Sequence, residues 1–232
     1  MALTRNSLIA VVIGLVILLS IGYGLFRLAD PEAKYRGLQT SMEIEMDEAT
    51  RAYIETQLKT SQAALVAAEA EGGEIDLNIY ASVAHYAYLL GDLVTAREAL
   101  EAELKGNPIN YGARNSYGNV LDKMGDYDAA RVAFEKALAD SSGQGPEAMY
   151  ISYLDLLLAR FPEDREAAKA LLELNLANKG QTSWNMVQFG RWYEAGGDCP
   201  RAIDHYTVAR DLAPNNQSIA DELQTLLAKC KG

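Results

Sequence analysis

A two-residue sequence signal recurs along this chain at an interval of about 34 residues, the length of one helical hairpin repeat. The dipeptide Gly91-Asp92 is followed one interval later by Gly125-Asp126, and Gly197-Asp198 comes just over two intervals after that. Each dipeptide lies between two stretches that read as helices. A period of this length is typical of stacked helical hairpins, none of which buries its apolar face alone. We therefore predict an all-α repeat array that holds a partner, and not the core of an enzyme.

The turn residues divide the array into hairpins. The predicted hairpins cover residues 78–105, 110–139, 146–178 and 183–212, and a last helix covers residues 217–229. The third hairpin has Phe161-Pro162-Glu163-Asp164 where the others have Gly-Asp. We assign the repeat domain to residues 77–232 and a linker to residues 30–43. The periodicity predicts a helix over residues 43–71. We assign residues 44–73 to a helical element that forms either an N-terminal cap on the first hairpin or a stalk.

Small and aromatic residues inside the hairpins resemble the tetratricopeptide repeat. The second hairpin carries Tyr117-Gly118, Leu121, Gly125, Ala130, Phe134 and Ala137. The fourth carries Phe189-Gly190, Tyr193, Gly197, Ala202, Tyr206, Ala209 and Pro214. The resemblance extends over about residues 78–214. We predict a tetratricopeptide-like α-solenoid of about four hairpins with a C-terminal capping helix, preceded by one N-terminal transmembrane helix.

The resemblance implies that the first helix of each hairpin lines a concave groove for a protein or peptide. The exposed side of such a helix follows i, i+3, i+7, i+10 spacing. The candidate groove residues are Asn78, His85, Tyr88, Asn115, Asn119, Asp122, Trp184 and Arg191. Asn115 and Asn119 lie one turn apart, with the amide groups that pair with a peptide backbone. Trp184 and Tyr88 offer rigid apolar anchors. The alternative is a merely solvated helix face.

The N-terminal segment has the length and composition of a membrane span. Residues 8–26 are almost wholly apolar and, as a helix, extend roughly 28 Å, close to the thickness of the bilayer core. We predict a transmembrane anchor within residues 1–29 that contacts the membrane through residues 8–27. The alternative is a signal peptide cleaved near Ser20-Ile21-Gly22, a site of small residues after a shorter apolar run.

The two cysteines are placed to meet. Cys199 begins one predicted helix and Cys230 ends the next, and the two helices run antiparallel. Each helix is about 20 Å long, so both sulfurs finish at the same level. We predict a disulfide, which indicates an oxidising compartment and hence an extracytoplasmic repeat domain, periplasmic or extracellular, in a bacterial-type cell envelope. The alternative is two unrelated buried thiols.

The chain lacks the residue patterns of common catalytic and metal sites. Its net charge of −11 repels the negatively charged phosphate backbone of nucleic acids, so we expect no nucleic-acid partner. The same charge serves solubility or, alternatively, an acidic binding surface. The only histidines are His85 and His205, and no metal-binding, phosphate-binding or nucleophile motif occurs. We expect no enzyme activity, cofactor, metal or small-molecule substrate.

These observations favour a membrane-anchored scaffold or adaptor that binds a protein or peptide at the membrane surface. One alternative is an assembly chaperone similar to the tetratricopeptide proteins that present apocytochrome c for haem attachment, which the anchor-plus-repeat layout and the Phe161-Pro162 turn resemble. Another is a structural subunit of a membrane complex, held through the helix predicted for residues 43–71. Repeat architecture by itself does not choose between these functions.

Overall fold

The computed structural model describes residues 34–230, which belong to two compact units. The first unit ends at Thr40, and its described part contains a tight turn closed by a 2.9 Å hydrogen bond from the Leu38 amide to the Tyr35 carbonyl. The predicted anchor in residues 1–29 lies outside the described residues. Within residues 34–230, no helix has both the length and the hydropathy to cross a bilayer.

The second unit begins at Ser41 and is helical. Its described helices are α1 (Glu48–Glu71), α2 (Leu77–Leu90), α3 (Leu93–Gly106), α4 (Tyr111–Met124), α5 (Tyr127–Ser141), α6 (Glu147–Arg160), α7 (Arg165–Lys179), α8 (Ser183–Ala195), α9 (Cys199–Leu212) and α10 (Gln217–Lys229). Each helix packs against the next along the chain, and α4 also contacts α6. Four hairpins, from α2–α3 to α8–α9, are followed by α10. The predicted all-helical hairpin array is therefore confirmed.

The repeated Gly-Asp signal marks the turn inside a hairpin. Gly91, Gly125 and Gly197 have φ of 81°, 84° and 76°, a left-handed conformation that glycine adopts without steric cost. The aspartate that follows is the N-cap of the second helix. Asp92, for example, accepts a 3.0 Å hydrogen bond from the Thr95 amide and so satisfies a free donor of the first turn. The dipeptide thus ends one helix and starts the next.

Complementary side-chain sizes set the approach of the two helices in each hairpin. A Cβ atom on Gly118 would lie 2.8 Å from the ring of Phe134, and one on Gly190 would lie 2.6 Å from the ring of Tyr206. The corresponding pairs are Ala84 with Leu100 in the first hairpin and Leu154 with Leu172 in the third. A larger residue on the first helix therefore accompanies a smaller one on the second, which keeps the shared volume filled.

Two polar triads connect successive hairpins. In each, an arginine and a glutamate four residues apart on a second helix form an ion pair, and a tyrosine on the next first helix donates to the glutamate. The triads are Arg97–Glu101–Tyr117 and Arg131–Glu135–Tyr153, with tyrosine-to-glutamate distances of 3.0 and 2.7 Å. Both the arginines and the glutamates recur at the same interval as the Gly-Asp dipeptides of these hairpins. The triads bond the first hairpin to the second and the second to the third at equivalent places in the repeat.

The predicted disulfide is present. The sulfurs of Cys199 and Cys230 are bonded, and the two Cα atoms lie 5.9 Å apart. Cys199 is the first residue of α9, and Cys230 directly follows α10. The helices have 14 and 13 residues, so their far ends return to the same level as predicted. The bond covalently attaches the last helix to the last hairpin.

The first long helix starts later than the periodicity predicts. It begins at Glu48 rather than Glu43, because Asp47 caps it by accepting a 2.9 Å bond from the Thr50 amide. Residues 42–46 lie outside any helix or strand, Ser41 forms an isolated antiparallel bridge with Asp92, and the Met42 amide donates to the Gly91 carbonyl at 2.9 Å. The segment therefore runs past the turn of the first hairpin, while α1 packs against α2.

Replacing Gly91 with alanine is expected to destabilise the fold more than the same change at Gly125. Both glycines are left-handed, which costs an alanine about 1–2 kcal/mol. At Gly91 the new Cβ would also overlap the carbonyl oxygen of Met42, whereas at Gly125 it meets only the hydroxyl of Tyr127, 3.9 Å away. Urea unfolding of the two variants compares them, and equal losses would contradict the packing of Met42 on this turn.

Candidate binding surface

Equivalent positions on the four first helices, all exposed or half-buried except the buried Val187, together form what we call the first-helix face. These positions are Asn78, Ala81, His85 and Tyr88 on α2; Gly112, Asn115, Asn119 and Asp122 on α4; Ala148, Ile151, Asp155 and Leu158 on α6; and Trp184, Val187, Arg191 and Glu194 on α8. Sequence reasoning left out the α6 row because the third hairpin departs from the repeat pattern. The same spacing, applied from the start of α6, selects Asp155.

Three of the predicted groove residues lie together in one cleft. His85 and Tyr88 of α2 and Asn119 of α4 line a space of about 300 Å³ that is bounded by α2, α3 and α4. We call it the α2–α4 cleft. Its floor includes the buried apolar side chains of Leu100 and Val120. The cleft therefore combines an apolar base with polar groups at its sides, the usual make-up of a ligand pocket.

Charged side chains occupy the middle of the first-helix face. Asp122 lies 3.5 Å from the Nζ of Lys123 and 3.6 Å from the Nε of Arg160. Asp155 lies close enough to Asp122 and Lys123 for their charges to affect its pKa. Partial burial raises the pKa of Asp155 above the usual value, and the negative charge of Asp122 raises it further. The positive charges of Lys123 and Arg191 lower it. Acidic and basic side chains therefore lie together in this part of the face.

The C-terminal end of the face is engaged by α10. Arg191 donates to both carboxylate oxygens of Glu222 at 2.9–3.1 Å, and Tyr206 also donates to Glu222 at 2.9 Å. Burial, together with this hydrogen bond, raises the pKa of Tyr206 to about 12. Lys229 forms a second ion pair with Glu194 at 2.8 Å. The predicted groove residue Arg191 is thus already bonded within the chain.

The remaining predicted residues are scattered. Asn78 is exposed at the start of α2, where its side chain donates to Asp76 at 2.8 Å. Asn115 is half-buried, and its carbonyl oxygen has no hydrogen-bond partner in the described part of the chain. Trp184 is half-buried against the hydrophobic core. The structure brings together only His85, Tyr88 and Asn119.

The two histidines differ in their surroundings. His85 is exposed beside the α2–α4 cleft. His205 of α9 stacks between Phe189 and Tyr193, at ring distances of 5.1 and 5.2 Å, and burial lowers its pKa. Across residues 34–230, no group of three or more histidine, cysteine, aspartate or glutamate side chains is arranged to hold a metal ion.

Comparisons with known proteins identify the fold. The structure is similar to MamA from Desulfovibrio magneticus RS-1 (18% identity, TM-score 0.55, 66% of this chain and 84% of that one). It is also similar to TTC0263, a thermophilic tetratricopeptide protein of Thermus thermophilus (17%, 0.52, 78% and 100%). A third neighbour is YrrB, a tetratricopeptide protein with an unusual peptide-binding site (19%, 0.56, 74% and 85%). No family sequence model and no curated protein sequence matches the chain.

Proposed function

We propose that this chain is a membrane-anchored scaffold that binds a protein or peptide partner along the first-helix face and has no enzyme activity of its own. The observation that carries the proposal is the α2–α4 cleft, which opens on that face and is lined by three of the candidate groove residues. The peptide-binding site of the tetratricopeptide neighbour YrrB supports a ligand of this class.

The proposed site of action is the extracytoplasmic side of a cell membrane. Residues 8–27 provide the proposed anchor, since they form an uncharged apolar run up to Arg27. The Cys199–Cys230 bond supports the sidedness, because disulfides persist in oxidising compartments and are rare in the cytosol. On this proposal the scaffold presents its partner close to the membrane.

Site-specific photo-crosslinking tests the proposed binding face. A photoreactive amino acid placed at Asn119 or Asp155 of the full chain, in native membranes, is expected to form a covalent adduct with a partner. Matched controls carry the probe at Val132 of α5 or Leu174 of α7, which are 63% and 45% exposed on second helices. Mass spectrometry of the adducts then identifies the partner.

The pattern of adducts decides the outcome. Adducts from Asn119 and Asp155 and none from Val132 and Leu174 would support the first-helix face as the binding surface. Adducts from the second-helix positions alone would overturn that assignment. No adduct at any of the four positions would contradict the scaffold proposal itself.

A further inference from the structure

At one buried position of the second helices, two of the four hairpins carry a polar residue where the other two carry alanine. Eleven residues after each N-cap aspartate lie Glu103, Ala137, Asn175 and Ala209. All four are buried, and the two alanines show that the fold itself is satisfied by a methyl group. A buried carboxyl group at this position costs stability that the alanine does not. Residues that break a local rule at such a cost are commonly kept for function.

The carboxyl group of Glu103 has a free oxygen beside the α2–α4 cleft. The residue is only 5% exposed and lines the cleft. One oxygen accepts a 2.8 Å hydrogen bond from the side chain of Asn110, whereas the other has no hydrogen-bond donor within residues 34–230. Burial raises the pKa of this carboxyl above its ordinary value, because no cation in the described part of the chain offsets its desolvation.

We infer that the α2–α4 cleft receives a basic side chain, lysine or arginine, of the bound partner, with Glu103 as its counter-ion. This inference rests on the proposed function, since it names the chemistry of the ligand at that face. None of the lysines and arginines that the structure describes lines the cleft. A cationic side chain would donate to this oxygen and would pair with the carboxylate at the wall of the cleft.

The walls of the cleft match the stem of such a side chain. Lysine and arginine carry three or four methylene groups before the charged head, and these groups pack on apolar surface. Ala84, Leu100 and Val120 provide that surface next to Glu103. Asn119, at the side of the cleft, offers an amide to the backbone of the same peptide. The negative net charge of the chain, −11, also favours a basic ligand.

Peptide titration of the purified full chain in detergent tests the inference. The probe is the peptide acetyl-Gly-Ala-Lys-Ala-Gly-amide, and its matched control replaces lysine with the uncharged norleucine. The methyl NMR signals of Ala84 and Val120 report binding in the cleft. The lysine peptide is expected to shift these signals and to bind about tenfold or more tightly than the norleucine peptide, as for the loss of one charge-assisted hydrogen bond.

Two variants identify Glu103 as the cause. Glu103→Gln keeps an oxygen for Asn110 and is expected to erase the tenfold preference without lowering the Tm. Glu103→Ala installs the residue of the second and fourth hairpins and is expected to erase the preference as well. Glu98→Gln, an exposed change on the same helix, controls for net charge and is expected to keep the preference. A preference that survives in both Glu103 variants, or equal binding of the two peptides to the unchanged chain, would overturn the inference.

The proposed function has a separate outcome. If photo-crosslinks form from Asn119 while the lysine preference is absent, the scaffold proposal stands and the basic-ligand inference is wrong. If no crosslinks form at any position, the scaffold proposal is contradicted, whereas the titration still reports directly on the chemistry of the cleft.

Discussion

Removing the Cys199–Cys230 disulfide is expected to lower the free energy of unfolding of the last hairpin and α10 by about 3–4 kcal/mol. The cysteines are 31 residues apart, and closing a loop of this length restricts the unfolded chain by about that free energy in the chain-entropy model. The double variant Cys199→Ser/Cys230→Ser removes the bond without a reductant. Urea unfolding followed by circular dichroism measures the loss against the unchanged protein.

The loss should be local as well as large. Neighbouring hairpins stabilise each other in a repeat array, so the end that loses its covalent link unfolds first. Hydrogen exchange is expected to accelerate in α9 and α10 and to stay unchanged in α2 and α3. Reductant provides the control, because it should affect the unchanged protein and leave the double variant as it is. Equal urea midpoints with and without the disulfide would contradict a stabilising role for it.

Exchanging the large and small residues of the Gly118–Phe134 contact is expected to restore most of the stability that either change alone removes. Phe134 is buried, and Phe134→Ala should cost about 3–5 kcal/mol through the lost contacts and the cavity. Gly118→Leu should cost about 1–3 kcal/mol, because even its Cβ would lie 2.8 Å from the ring. In the double variant the leucine enters the space that the ring leaves.

A double-mutant cycle measures this compensation. Since the two residues touch, the double variant should be more stable than the sum of the single losses by at least ~2 kcal/mol. The third hairpin already places a leucine, Leu154, at the position of Gly118. Gly112→Leu on the exposed side of the same helix controls for helix propensity, since its Cβ meets only the Asn110 side chain, at 3.4 Å. Additive losses in the cycle would show that size complementarity does not set the approach of these helices.

Sequence reasoning reached the array because the repeat acts through local chemistry. Glycine at the turn, an aspartate cap and small residues at close contacts are each determined by neighbours in the chain, so Gly91-Asp92 and Gly125-Asp126 indicated the hairpins directly. The disulfide could also be predicted, because equal helix lengths place Cys199 and Cys230 at one level. The late start of α1 escaped prediction, since the periodicity overlooked the Asp47 cap and could not show that Met42 bonds to the distant turn at Gly91.

The binding surface was less predictable because it depends on how separate hairpins meet. Trp184 has the large aromatic side chain of a typical binding anchor, yet it packs against the core, which leaves less of the side chain exposed to a partner. Arg191 has the spacing of a groove residue, but α10 provides its partner, Glu222. Glu103 was missed because periodicity marks its position as buried and gives no reason to inspect a buried carboxylate. Comparison of equivalent positions among the hairpins, where Ala137 and Ala209 stand, would have singled it out.

The attachment of α10 also limits self-assembly. Helical repeat arrays grow by adding one hairpin to the open end of the previous one, and two copies of a chain can join end to end by the same packing. Here α10 covers the end of the fourth hairpin, bonded to α8 through Arg191–Glu222 and to α9 through a covalent link. The covalent link holds α10 against α9, at the end of the array where an added hairpin would pack. The disulfide therefore opposes the displacement of α10 that hairpin addition at this face would require.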